Sequence, residues 1–134
     1  MPYKFSNRSR IKLESVKPDL QKVFNNAIIE SPFDFGITHG YRSTEEQKEL
    51  YAKGRTKEGK IVTYVDGVHK KSRHQFREAV DIVCYNGGKV TWDHKYYSEV
   101  AEHIKKIAKL VGVEIEWGGD WKRFKDYPHF QLKR

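Results

Sequence analysis

The segment AVDIVC at residues 79–84 sets the strongest constraint on how this chain folds. Its composition is that of a buried strand, yet an aspartate stands in its middle. In extended conformation Val80, Ile82 and Cys84 share one face, and Ala79, Asp81 and Val83 share the other. A carboxylate buried there without a partner costs several kcal/mol or takes up a proton, so the fold must bring a cation to it. Arg73 and Arg77 are near enough in sequence to be that cation, and a metal ion is the other reading.

The elements around this strand follow from apolar spacing. After Pro18, Leu20, Val23, Phe24, Ala27 and Ile28 recur at helical intervals until Ser31 and Pro32 end the pattern. Phe33, Phe35 and Ile37 alternate with polar residues as a half-buried strand does. Ser43 with Glu46, or Thr44 with Gln47, makes a capping box for a short helix that Gly54 closes. Residues 55–73 are polar and irregular, and so long a loop in so small a domain reads as the rim of a site. Past the strand, YNGGKV turns the chain into a long helix with Tyr97, Val100, Ala101, Ile104, Ala108 and Val111 on one face, ending near Gly112. Val113, Ile115 and Trp117 alternate as another strand. A last strand, His129 to Leu132, has Phe130 and Leu132 on one face and His129 and Gln131 on the other. The expected fold is α+β, a small, mainly antiparallel sheet with helices packed on one side. With 134 residues, no repeat and no linker, residues 1–134 form a single domain.

Twenty-six Lys and Arg against eighteen Asp and Glu leave a net charge of +8, which favours a polyanionic partner: nucleic acid, an anionic membrane or a cell wall. No zinc-finger or RNP signature and no basic helix is present, so nucleic acid is not expected. The single cysteine, Cys84, excludes an internal disulfide and a thiolate zinc site, leaving histidine and carboxylate to hold any metal. There is no apolar run of membrane-spanning length and no signal-peptide core in MPYKFSNRSR, which suits a protein made in the cytoplasm.

His74 precedes Asp81 by seven residues, roughly 23 Å of extended chain at about 3.3 Å per residue, so QFRE must fold back if both serve one ion. In DYPHF, Asp126 precedes His129 by three and Pro128 fixes the backbone between them. His74, Asp81 and His129 together make three N/O ligands, which leaves a fourth tetrahedral position open, as in a catalytic zinc site. Asp126 beside such a site suits a group that takes a proton from water and passes it to a leaving amine. The alternative pairs Asp81 with Arg73 or Arg77 and makes His129 an ordinary strand residue. His39 is a further candidate to line the pocket, whereas His69, His94 and His103 read as surface residues. Trp117 reads as core, and Trp121 as a platform for sugar or peptide.

GYRSTEEQ at 40–47, SRHQFREAVD at 72–81, WGGDW at 117–121 and DYPHF at 126–130 jointly resemble the zinc peptidases of the D-Ala-D-Ala carboxypeptidase and L-alanyl-D-glutamate endopeptidase group. That group shares its fold with the Hedgehog signalling domain, and the resemblance runs from about residue 10 onward. It implies zinc ligands at His74, Asp81 and His129, a general base at Asp126, and an Arg42 that reaches into the site to hold substrate and stabilise an oxyanion. Ser72 and Gln47 match positions that hold substrate or line the site, although Gln47 fits a capping role equally. The implied activity is that of a peptidoglycan hydrolase cutting the L-alanyl-D-glutamate bond of stem peptides. Asp rather than Glu in the D-x-x-H motif, the short chain and the missing signal look most like phage endolysins, which lyse the host after a holin opens the membrane; the sequence says nothing of oligomeric state, and a monomer is the default expectation. A D-Ala-D-Ala carboxypeptidase or dipeptidase, or a non-catalytic basic metal-binding module, are the alternatives. Arg77 departs from the glycine that relatives carry there, a residue that would ease the fold-back.

Overall fold

The computed structural model describes residues 2–134. Its elements are α1 (Asn7–Glu14), α2 (Pro18–Ala27), β1 (Phe35–His39), α3 (Thr44–Ala52), β2 (Ala79–Asn86), β3 (Lys89–Thr91), α4 (His94–Val111), β4 (Ile115–Trp117) and β5 (His129–Leu132). Short 3-10 turns occupy Arg73–Phe76 and Gly118–Asp120. The strands run β1-β2-β5-β4, each antiparallel to its neighbour. β3 pairs with the far end of β2 on the edge away from β1, since Cys84 has Phe35 on one side and Thr91 on the other.

Leu20, Val23 and Phe24 of α2 and Tyr97, Val100 and Ile104 of α4 are buried against Phe35, Ile37, Val80, Ile82 and Phe130 of the sheet. Phe24 meets Phe35 and Phe130 edge-to-face at 6.3 and 5.7 Å. Burying each such side chain contributes about 1.5–3 kcal/mol relative to leaving it in water. This apolar layer takes the even-numbered residues of β2 and so turns Asp81 to the opposite face. A register shift between Ile37 and His39 brings His39 opposite Asp81 on that same face.

Several boundaries differ from the sequence reading. α1 was not expected, because only Ser9 and Leu13 of its eight residues are buried and no apolar stripe marks it. It covers the free edge of β1, where Ile37 N–H donates to Ser9 Oγ at 3.0 Å. YNGGKV does not lead directly into α4. Gly87 and Gly88, at φ 58° and 84°, make a two-residue hairpin to β3 first. The strand expected from Val113 begins at Ile115, because the Val113 N–H is used to close α4 on Ala108 O at 2.9 Å beyond the left-handed Gly112. The capping box of α3 is Ser43 with Glu46, which frees Gln47 for another task.

Candidate active site

Strand pairing assembles most of the site. Asp81 on β2 lies opposite His129 on β5 and opposite His39 on β1, so the three form a row across the sheet. His74 arrives from the 3-10 turn before β2. Ser72 Oγ accepts from His74 N at 3.2 Å and Gln75 Oε1 accepts from Ser72 N at 2.8 Å, a reciprocal cap that starts the turn. Arg77 ends it in the left-handed region at φ 61°. The chain thereby reverses, and His74 Nε2 comes to 3.4 Å from Asp81 Oδ2.

The remaining ring nitrogens fix the tautomers. His74 Nδ1 is 2.8 Å from Gly40 O, a partner that can only accept, so His74 carries its proton there and turns the Nε2 lone pair to Asp81. His129 Nε2 is 2.8 Å from Gln131 Oε1, and Gln131 Nε2 donates to Glu116 Oε1 at 2.9 Å. That chain leaves the His129 Nδ1 lone pair facing Asp81 Oδ1 at 3.2 Å. Three acceptors thus converge within 4.8 Å of one another. Acceptors held face to face require a cation between them, and two imidazoles oriented by carbonyl oxygens plus one carboxylate fit a zinc ion with an open position. With protons rather than a metal ion on the facing ring nitrogens, the hydrogen bonds and positive charge of His129 and His74 outweigh burial, which alone would push the Asp81 carboxyl up, and hold the group ionised, well below the usual carboxylate range.

A cleft of about 290 Å³ opens beside this row, lined by His39, Arg42, Thr63, Ser72 and Asp126 together with the His-Asp-His group. Asp126 sits at its mouth in the loop before β5, with its N–H donating to Gly118 O at 3.1 Å and its carbonyl accepting from His129 N at 3.1 Å. A Cβ at Gly118 would collide with that carbonyl, which gives the WGGDW segment one glycine. Loss of solvent against the cleft wall, and then the charge of Asp81, raise the Asp126 carboxyl above its usual range. Arg42 is anchored by its N–H to His74 O at 3.1 Å, and its Nη1 donates to Gln47 Oε1 at 2.9 Å while Nη2 stands 3.9 Å from Asp81 Oδ2. Gln47 itself is fully buried and also donates to Val65 O at 2.7 Å, so it reaches the cleft only through Arg42.

The arginines offered as partners for Asp81 go elsewhere. Arg73 Nε binds Glu78 at 2.9 Å, and Arg77 donates to Ser15 O at 2.8 Å with its guanidinium over Tyr41. His69 pairs with Asp66, His94 stacks on Tyr127, and His103 meets Ala27 O, all away from the cleft. Trp117 is core, and the Trp121 ring lies 5.3 Å from that of His129. Gln131 and Gly40, which orient the two histidines, were not singled out from sequence. The i, i+2 spacing that puts Gln131 on the face of His129 is a signal that could have found Gln131.

An antiparallel sheet with helices on one face and a His-Asp-His cluster beside an aspartate and an arginine on the other defines a metallopeptidase of the D,D-peptidase-like fold. Within that class the chain belongs to the phage L-alanyl-D-glutamate peptidase family, whose profile matches residues 1–133. It is 33% identical over 135 residues to the L-alanyl-D-glutamate peptidase of Escherichia phage T5, covering 100% of this chain and 92% of that protein. It is 46% identical over 109 residues to the peptidoglycan L-alanyl-D-glutamate endopeptidase CwlK of Bacillus subtilis (strain 168), covering 74% of this chain but only 60% of that longer protein. The crystal structure of the Serratia marcescens L-Ala D-Glu endopeptidase ChiX superposes with a TM-score of 0.79 at 34% identity, over 97% of this chain and 90% of that one. The Zn(II) complex of the D,D-pentapeptidase VanY, at 20% identity and a TM-score of 0.54 over 91% of this chain and 71% of that one, shares the fold. Among the described residues no helix is long and apolar enough to cross a membrane.

Proposed function

We propose that this protein is a zinc-dependent peptidoglycan hydrolase that cuts the L-alanyl-D-glutamate bond of stem peptides and serves a phage in lysing its host. The observation that carries the reading is the convergence of three acceptor atoms within 4.8 Å in the cleft that Asp126 and Arg42 also line. His74, Asp81 and His129 would hold a zinc ion, which when bound would supply Lewis acidity at the scissile carbonyl and lower the pKa of a water toward about 7. Asp126 accepts the proton of the attacking water on its carboxylate and returns it to the nitrogen of the departing D-glutamyl residue. Arg42 aims its guanidinium at the carbonyl oxygen as negative charge develops there, and its bond to Gln47 keeps the fork from swinging away. Ser72 Oγ already accepts from His74 N, which leaves its O–H to donate to the substrate backbone. The excess of basic residues favours approach to an anionic wall. The enzyme acts as a monomer, and it gains the wall from the host cytoplasm once the membrane has been opened.

The test is digestion of purified peptidoglycan by the zinc-loaded protein, by the chelated protein and by Asp126→Ala, with the new termini identified by mass spectrometry. The reading expects C-terminal L-alanine and N-terminal D-glutamate from the zinc-loaded wild type alone. Free D-alanine would move the activity to a carboxypeptidase. Zinc binding without any product would leave only a metal-binding module.

A further inference from the structure

Two of the most exposed aromatic rings of the molecule touch each other, and each lies within two residues of a side chain that lines the cleft. Tyr64 is 69% exposed and Phe124 is 77% exposed, and their ring centroids are 5.5 Å apart. They come from separate walls. Tyr64 follows Val62 and Thr63, which line the cleft from the loop after α3, and Phe124 lies two residues before Asp126 in the loop that enters β5. Behind Tyr64 the Arg55 guanidinium lies 5.8 Å from its ring and 3.8 Å from that of Tyr51, which continues the stacked row back to α3.

The fold gains little from this arrangement. Neither ring belongs to the core or packs against it. Phe124 moreover holds a left-handed backbone at φ 53°, a conformation that costs a bulky residue on the order of 1–2 kcal/mol and that glycine would adopt freely. An aromatic residue kept both strained and in water, two residues from a side chain that lines the cleft, points to a ligand that uses its face.

The chemistry of the substrate says which ligand. In peptidoglycan the L-alanine of the stem is joined through its amino group to the lactyl ether of an N-acetylated amino sugar, so one residue separates that sugar from the bond cut. A glycan strand is therefore unavoidable at one mouth of the cleft. Exposed tyrosine and phenylalanine rings offer the flat apolar faces on which the C–H-rich face of a pyranose stacks, and the Tyr64 hydroxyl offers a polar edge to its N-acetyl groups. We propose that Tyr64 and Phe124 form a saccharide subsite that takes the lactyl-bearing amino sugar of the glycan strand and so positions the stem peptide in the cleft. This rests on the function proposed above.

Phe124→Gly removes a ring while relieving the strained backbone, and Tyr64→Ala removes an exposed one, so both variants should stay folded. Two substrates separate the roles: a disaccharide-linked stem tripeptide, and the same tripeptide N-acetylated on its alanine and carrying no sugar. The subsite requires kcat/KM on the glycopeptide to fall about tenfold in either variant, mainly through KM, with the acetyl peptide cut as by wild type. Equal losses on both substrates, or no loss on the glycopeptide, would overturn it. A second arm titrates the peptide-free disaccharide into 15N-labelled protein at millimolar concentration. Shifts confined to residues 62–66 and 122–126, and absent in the variants, support the subsite even if wild type cuts neither substrate and the peptidase reading fails. No shift there would reject the subsite while leaving that reading intact.

Discussion

Gln131 decides which nitrogen of His129 carries the proton, and it does so without approaching the cleft. Its Oε1 takes the Nε2–H, and its own amide is held by Glu116 across the β4–β5 pair. Gln131→Leu should remove the acceptor, free the ring to adopt the other tautomer and weaken zinc binding by about 10- to 100-fold, which competition against a chelating dye would measure. Gln47 plays the corresponding part for Arg42, being buried, bonded to Nη1 and bonded to Val65 O. Gln47→Leu should therefore leave zinc affinity unchanged while kcat falls about 10- to 100-fold, because a buried guanidinium that has lost a partner no longer holds its aim. Asp126→Asn keeps the shape and removes the base; a loss of about 100- to 10,000-fold in kcat at unaltered zinc affinity is the outcome a proton-transfer role demands. If the asparagine variant kept wild-type turnover, Asp126 would not be the base.

At the scale of elements, the turn from Ser72 to Arg77 makes one site from residues that an extended chain would hold far apart. Arg77 fills a left-handed position where glycine is at ease, and the cost of roughly 1–2 kcal/mol is offset by its bond to Ser15 O and its stacking over Tyr41. Arg77→Gly should thus shift unfolding stability by less than about 1 kcal/mol and leave peptidase activity intact, whereas Arg77→Val, β-branched and strained at φ 61°, should lose about 1–2 kcal/mol in urea unfolding. The same turn shows what was legible in the sequence. An aspartate in an apolar strand demanded a cation, spacing alone left Arg73 or Arg77 as well as a metal ion shared with His74 and His129 to supply it, and the resemblance of the motifs chose the histidines. α2, α3, α4, β1, β4 and β5 followed from spacing and caps, whereas β3 did not. α1 did not, because a polar helix lying on a strand edge buries too little to leave a periodic trace. Nor did the role of Gln47, since its capping and bracing roles suit the same residue and only tertiary contact with Arg42 separates them.

The whole molecule is closed by one carboxylate remote from the chemistry. Glu78, immediately before β2 and with a side chain only 12% exposed, holds Lys17 at the head of α2 at 2.8 Å, Arg73 of the turn at 2.9 Å and Arg134 at 2.9 Å. It so ties the helical layer, the turn that carries His74 and the segment after β5 to one point. Burial alone would push its carboxyl up, but the hydrogen bonds and charges of Lys17 and Arg134 outweigh this and bring it down to about 2 from an ordinary 4.5. A folded-state value below the unfolded one means that the unfolded chain takes up protons first. The stabilisation is therefore fully present above about pH 4.5 and disappears as pH falls toward about 2. Because Lys17 and Arg134 are half exposed and solvent screens their charges, the cluster should contribute roughly 1 kcal/mol at neutral pH. Glu78→Gln should lose that amount at pH 7, and its stability difference from wild type should shrink toward zero across this acid window. Urea unfolding of both proteins, stripped of metal and compared at each pH, gives the difference directly, because every other titrating group is common to the pair and cancels. A gap that stayed constant with pH would mean that packing rather than charge makes Glu78 the tie between the layers.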